Sequence, residues 1–394
     1  MSDGVSSDEE DDKIFAFDHD EFPPKEQSSV TSLTNDYIPD INRLTETDQV
    51  LAIEDFVASD IKQIKNTVSL EDFAVLSVIG KGAYGQVFLV QKKVSNEYYA
   101  MKVLKKATIV LHTKDTEHTK NERSVLEEIR HPFIVKLYFA FQTPSRLYLI
   151  LNYASGGELF TYLTKERMFS EDVARFYISE LLLALQHLHS IGIIYRDLKP
   201  ENVMLDGEGH LMLTDFGLSK VAINAQTVCG TVEFMAPEII DEKVAYTKSV
   251  DYWSMGIMLY DMLTGAPPFS GGNRKKIMEG VLKKKPNYPK YMTSQARDLC
   301  TKLLKKDPQH RLGSGPNGAE EIKKHAFFKK TNWTKLFNRE ITPPYVPDIK
   351  CPEDTSNFSA EFTNMSIEGS FAPHDVPLGD HADLFRGFSF VAMS

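Results

Sequence analysis

The stretch "GKGAYG" at residues 80–85 limits the fold of this chain more than any other feature. Three glycines at this spacing let a backbone turn tightly and approach a bound group with no Cβ in between. What flanks them decides the architecture. A dinucleotide loop runs from a strand into a helix, and a Walker loop ends in Gly-Lys-Ser/Thr. Here "FAVLSVIG" leads in and "QVFLVQKK" leads out, both with strand patterns. The glycines therefore predict a β-hairpin that opens an antiparallel meander continuing through "EYYAMKVLKK".

A helix follows at about residues 117–129, then strands in "FIVKLYFAFQT" and "RLYLILNYA". Beyond Gly157 the pattern turns helical. "SEDVARFYISELLLALQHLHS" starts with an N-cap Ser170 and carries apolar residues at helical spacing. "SVDYWSMGIMLYDMLTG" (249–265) is apolar nearly all round, which marks a buried central helix. These runs predict an α+β chain of two lobes, a small antiparallel β-rich one with one key helix and a larger helical one. The order along the chain is an acidic, mostly disordered region at 1–68, a patterned body that begins near Leu70, and a Pro-, Asp- and Ser-rich tail at 329–394.

The chemistry sits in polar residues placed between apolar runs. In "YYAMKVL", Ala100, Lys102 and Leu104 share one strand face. On the helix at 117–129, Glu122 lies on the same inward stripe as Val125, Leu126 and Ile129. A carboxylate on a core-facing stripe needs a cation, and Lys102 is the candidate. The octet "YRDLKPEN" (195–202) then offers Asp197 to orient a hydroxyl and accept its proton, Lys199 to neutralise a moving phosphate, and Asn202 to ligate Mg²⁺. "DFG" at 215–217 adds Asp215 as a second metal ligand, and "APE" follows at 236–238.

This ordered set resembles the eukaryotic protein kinase catalytic domain from about Phe73 to Phe328. The resemblance implies that ATP is held by Gly80, Lys81, Gly82, Ala83, Tyr84, Gly85, Val87, Ala100 and Lys102, with Leu151 as gatekeeper and Asn152, Tyr153 and Ala154 as hinge. It implies Asp197, Lys199, Lys102 and Glu122 as the catalytic group, Asp251 as a brace of the catalytic loop, and an Arg311–Glu238 pair. Tyr195 stands where the family usually has His, the common form in its AGC class, and Asn152 replaces the more usual acid of the hinge. "LKPEN" implies Ser/Thr specificity. Glu158, Glu201 and Asp261 stand where related basophilic kinases read Arg upstream of the acceptor, and Arg suits bidentate recognition by carboxylates.

"MKVLKKATIV", "DMLTGAPPFSGGNRKK", "RLGSGP" and the ending "LFRGFSFVA" resemble the ribosomal protein S6 kinase group; the ending is especially close to the ninety-kilodalton type, while the single-domain seventy-kilodalton type fits one kinase domain better. The resemblance implies phosphorylation at Thr227, with Arg196 as its partner, and at Ser389. Ser370 holds the turn-motif position without the following Pro. Phe385 and Phe388 are anchors suited to a pocket beside the Glu122 helix. Upstream kinases of the phosphoinositide-dependent type are implied, and "FDHDE" at 17–21 resembles a docking motif for the target-of-rapamycin complex, with an acid where that motif prefers an apolar residue. A net charge of −10 argues against a nucleic-acid partner and is compatible with protein substrates that carry basic Ser/Thr motifs. Three cysteines and no apolar run of about 18 residues suggest a cytoplasmic monomer without membrane insertion, nuclear entry left open. The alternatives are another basophilic AGC kinase and a kinase-fold scaffold without turnover.

Overall fold

Runs rich in β-branched and aromatic residues build the meander: β1 (Phe73–Lys81), β2 (Gly85–Lys92) and β3 (Tyr98–Lys105) pair antiparallel, with Val78 opposite Phe88 and Val87 opposite Lys102. Strand alternation sorts their side chains. Tyr99, Met101 and Val103 face outward into one apolar cluster, while Ala100 and Leu104 face the main core. The computed structural model describes residues 68–82, 85–110, 113–216, 220–221, 232–241, 247–368, 371 and 384–392. Ala83, Tyr84, Thr227, Ser370 and the motif at 17–21 lie outside them.

A short helix α1 (Lys106–Val110) leads into α2 (Thr113–Glu128), which starts four residues before the position that spacing alone suggests. Strands β4 (Leu137–Gln142) and β5 (Arg146–Asn152) complete the sheet in the order β1-β2-β3-β5-β4. The small lobe is thus one antiparallel sheet with α2 against it.

The large lobe begins at β6 (Gly157–Glu158), α3 (Leu159–Glu166) and α4 (Glu171–Ser190). Ser170 caps α4 as its sequence suggests, its hydroxyl accepting from the Val173 amide at 3.4 Å. Strands β7 (Ile193–Ile194), β8 (Val203–Leu205), β9 (Leu211–Leu213) and β10 (Lys220–Val221) carry the loops, and α5 (Pro237–Asp241), α6 (Ser249–Thr264) and α7 (Arg274–Lys283) follow. Every residue of α6 from Ser249 to Leu263 is buried, as its continuous apolar sequence demands.

From residue 339 the chain returns across both lobes. Arg339 pairs with Asp206 and, at 3.1 Å, with Glu208. Tyr345 stacks parallel to Tyr177 with ring centres 6.3 Å apart. Its carbonyl lies so close to Gly209 that a Cβ there would sit 1.9 Å from the oxygen, so only glycine permits this crossing. Phe362, Met365, Ile367 and Phe371 then cover the outer face of the small sheet. At the end of the chain, Phe385 and Phe388 are buried, and β11 (Phe390–Val391) adds a strand beside β4, with Phe390 opposite Ala140.

Candidate active site

The backbone of the octet is pinned from beneath by one carboxylate. Asp251, fully buried in the first turn of α6, accepts from the amides of Tyr195 (2.9 Å) and Arg196 (2.8 Å), and His189 of α4 sits 2.7 Å from its second oxygen. Arg196 is thereby held at φ +67°, a left-handed conformation that a non-glycine residue keeps only where its surroundings over-determine it. Tyr195 lays its ring edge-on against Phe216 at 5.3 Å and donates its hydroxyl to the Thr214 carbonyl. The tyrosine therefore ties the loop to the segment that carries Asp215.

On this base Asp197 is oriented by two neighbours. Its Oδ2 accepts from Lys199 Nζ at 2.8 Å and from Asn202 Nδ2 at 3.0 Å, and the same Asn202 amide reaches the Asp197 carbonyl at 2.8 Å. Oδ1 is buried and accepts no hydrogen bond among the described residues. A buried carboxylate oxygen without a donor is costly to keep, so this one is poised to receive a proton donor from outside the chain. Burial raises the Asp197 carboxyl above the ordinary aspartate range, against the opposing pull of Lys199 and Asn202.

Across the cleft Lys102 joins three elements. From β3 it reaches Glu122 of α2 at 2.7 Å and Asp215, after β9, at 3.1 Å. Burial alone would lower this ammonium; Asp215 and Glu122 outweigh it and hold Lys102 above the usual lysine value. The inward stripe read from the sequence is present, with Glu122, Val125, Leu126 and Ile129 all buried. Below the site Arg311 clamps Glu238 through two bonds of 2.6 and 2.8 Å, both side chains buried.

The glycine hairpin closes through the Gly82 amide, which donates to the Gly85 carbonyl at 2.9 Å. Its glycines serve different ends. Gly85 must be glycine for the sheet's own sake, since a Cβ would sit 1.8 Å from the Val103 carbonyl, whereas a Cβ on Gly82 would meet nothing within 4 Å. The open side of the hairpin thus fits a group supplied from outside the chain, such as a nucleotide phosphate. Asn202 and Asp215 contribute a carboxamide and a carboxylate oxygen, the hard donors that Mg²⁺ prefers alongside water and phosphate.

At the hinge, Leu151 lies opposite Ala100, and Asn152 replaces an acid with two useful bonds: its Oδ1 accepts from the Lys136 amide (2.7 Å) and its Nδ2 donates to Tyr138 (3.1 Å). Tyr153 donates its hydroxyl to the Asp354 carbonyl and stacks on Phe358 at 5.7 Å, so the tail braces the hinge directly. Ala154 is buried. Among the acids, Glu158 opens α3 and Glu201 lies in the turn at 200–202, close enough that burial first, and Glu201 second, raise the Glu158 carboxyl. Asp261 is buried on α6, where burial pushes its carboxyl up to about 6. Ser389 is exposed, and Arg123 of α2 donates to its carbonyl at 3.4 Å.

Sequence reasoning did not single out His189, Arg123 or Asp354. For His189 a signal existed: a polar residue in the last turn of an otherwise apolar helix face. For Asp354 none existed, because its partner lies 201 positions away.

The model for the protein kinase domain matches residues 73–328, and that for the protein kinase C terminal domain matches residues 349–390. The chain is 49% identical over 357 residues to ribosomal protein S6 kinase alpha-3 of Homo sapiens, covering 89% of this chain and 47% of that protein. Ribosomal protein S6 kinase 2 alpha of Gallus gallus is 47% identical over 377 residues, covering 94% and 49%. Ribosomal protein S6 kinase alpha-1 of Homo sapiens is 51% identical over 327 residues, covering 81% and 44%. The chain spans about half the length of these relatives.

Proposed function

Because this chain belongs to the protein kinase family, we propose that it transfers the γ-phosphoryl group of ATP to serine or threonine in Arg-rich protein segments, in the manner of a ribosomal protein S6 kinase. The observation that carries the reading is the Asp197 carboxylate, fixed through Oδ2 by Lys199 and Asn202 with a buried Oδ1 left to accept. That oxygen orients the acceptor hydroxyl and takes its proton. Lys199 neutralises the phosphoryl group in flight, and Lys102, steadied by Glu122, grips the α- and β-phosphates. Asn202 and Asp215 would hold Mg²⁺, which neutralises charge on the phosphates when bound. Glu158, Glu201 and Asp261 supply carboxylates for the guanidinium groups of the substrate.

The same reading extends to control. Phosphate on Ser389 adds about −1.5 to −2 charges beside Arg123, on the helix that carries Glu122, and so couples the tail to the catalytic lysine. Thr227 and Ser370 complete the set of modification sites, served by upstream kinases of the phosphoinositide-dependent type and by the target-of-rapamycin complex in the cytoplasm.

The test is transfer of labelled phosphate from Mg·ATP to Arg-rich Ser/Thr peptides. Asp197→Asn keeps the shape of the loop and removes the base, so kcat falls about 10²- to 10⁴-fold while the thermal midpoint holds. Transfer at an unchanged rate in that variant would overturn the assignment.

A further inference from the structure

Helix α7 carries the strongest local charge among the described residues, and its sign opposes that of the chain. Arg274, Lys275 and Lys276 fill its first turn and Lys283, Lys284 and Lys285 close it, against the single carboxylate of Glu279 over residues 274–285, while the whole chain carries −10. All six cations are exposed. The buried face of the helix is Ile277, Gly280 and Val281, which leaves Lys275, Glu279, Leu282 and Lys283 on the outward face.

Two features separate this patch from an ordinary solvated face. Three cations in a first turn oppose the helix dipole, which disfavours positive charge at that end; Asn273, capping the Lys276 amide at 3.0 Å, keeps the helix start in place despite them. Counter-charge is also scarce, for among the described residues the one ion pair made by these six cations is Lys283–Glu279 at 3.1 Å. The chain thus maintains six cations against one carboxylate, and at the first turn it does so where helix stability alone would select acids.

Position gives the array its use. Helix α7 packs on α5 and on the turn Val232–Phe234, which leads into α5 and its buried Glu238–Arg311 clamp. We propose that the outer face of α7 docks a short Asp/Glu-rich segment of the protein substrate, remote from the Arg-rich acceptor site. This rests on the kinase reading and narrows it: the preferred substrate is bipolar, basic at the acceptor and acidic at a distance.

Charge range decides the kind of partner. A membrane or polynucleotide engages charge spread over a whole face of the molecule, whereas a short segment senses only charges within about 10 Å at 0.1 M ionic strength, the reach of one helix. Lysines are compact point charges without bidentate geometry, suited to a string of carboxylates read by charge rather than by shape. A helix of this length is about 15 Å long, matched by about five extended residues of a partner.

Two readouts on the full chain test this. Anisotropy of a labelled Asp/Glu-rich peptide should report binding to the native chain that weakens with salt. Binding should fall about tenfold or more when Lys283→Glu, Lys284→Glu and Lys285→Glu are combined, and should persist in the triple Lys→Arg variant. In transfer assays, appending the acidic segment to an Arg-rich acceptor peptide should lower KM in the native chain and not in the Glu variant, with the short acceptor peptide treated equally by both. Equal binding of the acidic peptide to native and Glu-variant chains overturns the docking surface, as does tighter binding to phosphatidylserine vesicles or RNA. If the acidic peptide binds as expected while no acceptor is phosphorylated, the kinase reading fails and the docking surface stands.

Discussion

In the large lobe, α6 is buried along its whole length by elements of that same lobe, whereas the sheet of the small lobe has apolar side chains on both faces and borrows their cover from the tail. Phe73, Phe88, Phe139 and Phe141 on its outer face pack with Phe362, Met365, Ile367 and Phe371. At the β4 edge, Gln142 donates to the Phe385 carbonyl at 2.9 Å, beside the buried Phe385 and Phe388. The two lobes therefore hold their catalytic groups by different means. Asp197 stands on a loop fixed by Asp251 of α6, a helix buried by its own lobe; Lys102 and Glu122 stand on elements whose packing continues into a segment more than 240 positions away. Reaction geometry is permanent on one side of the cleft and conditional on the other.

The largest effects should come from attacking each lobe's own support. Replacing Phe385 and Phe388 together by Ala should cost about 3–5 kcal/mol per site. The loss should appear as faster hydrogen exchange in α2 and β4, with the catalytic loop protected as before; equal loss of protection in both lobes would erase the contrast. Arg311→Ala leaves Glu238 buried without a cation and should cost a comparable 3–5 kcal/mol, lowering the midpoint of the large lobe first.

Asp251→Asn should act through geometry rather than stability. It disturbs the acceptors of the Tyr195 and Arg196 amides, and kcat should fall about 100-fold while the KM for ATP, set largely by the small lobe and hinge, changes little. The smallest effect sharpens the picture of Asp197. Its carboxyl is raised by burial, so the basic form is lost, and kcat falls, as pH drops through a value above the ordinary aspartate range. Lys199→Met removes the cation that opposes this rise, so the acid limb of the kcat profile should move to higher pH. A limb that stays put would show that the group titrating there is not Asp197.

The sequence exposed the groups whose chemistry is local. Asp197, Lys199 and Asn202 fall within six positions, and their bonds to one another follow from a single turn. The Lys102–Glu122 pair was legible because each residue violates an apolar stripe, and a violation calls for a partner. What stayed hidden is non-local. The strand β11, the Arg339 pair with Asp206 and the Tyr153 bond to Asp354 depend on how the tail is threaded, and no periodicity of a Pro- and Asp-rich segment encodes that path. Helix α1 was missed for another reason: at five residues, Lys106–Val110 is too short to show a helical period.

The tail that covers the small sheet also imposes an order on biosynthesis. Phe73 and Phe88 leave the ribosome about 290 residues before the side chains that will cover them, an interval on the order of 15–60 s at about 5–20 residues per second. Through that interval the nascent small lobe presents an aromatic face to the cell while the large lobe can already close. In a chain built this way the first strands stay open to chaperones until the segment at 362–371 emerges to cover them.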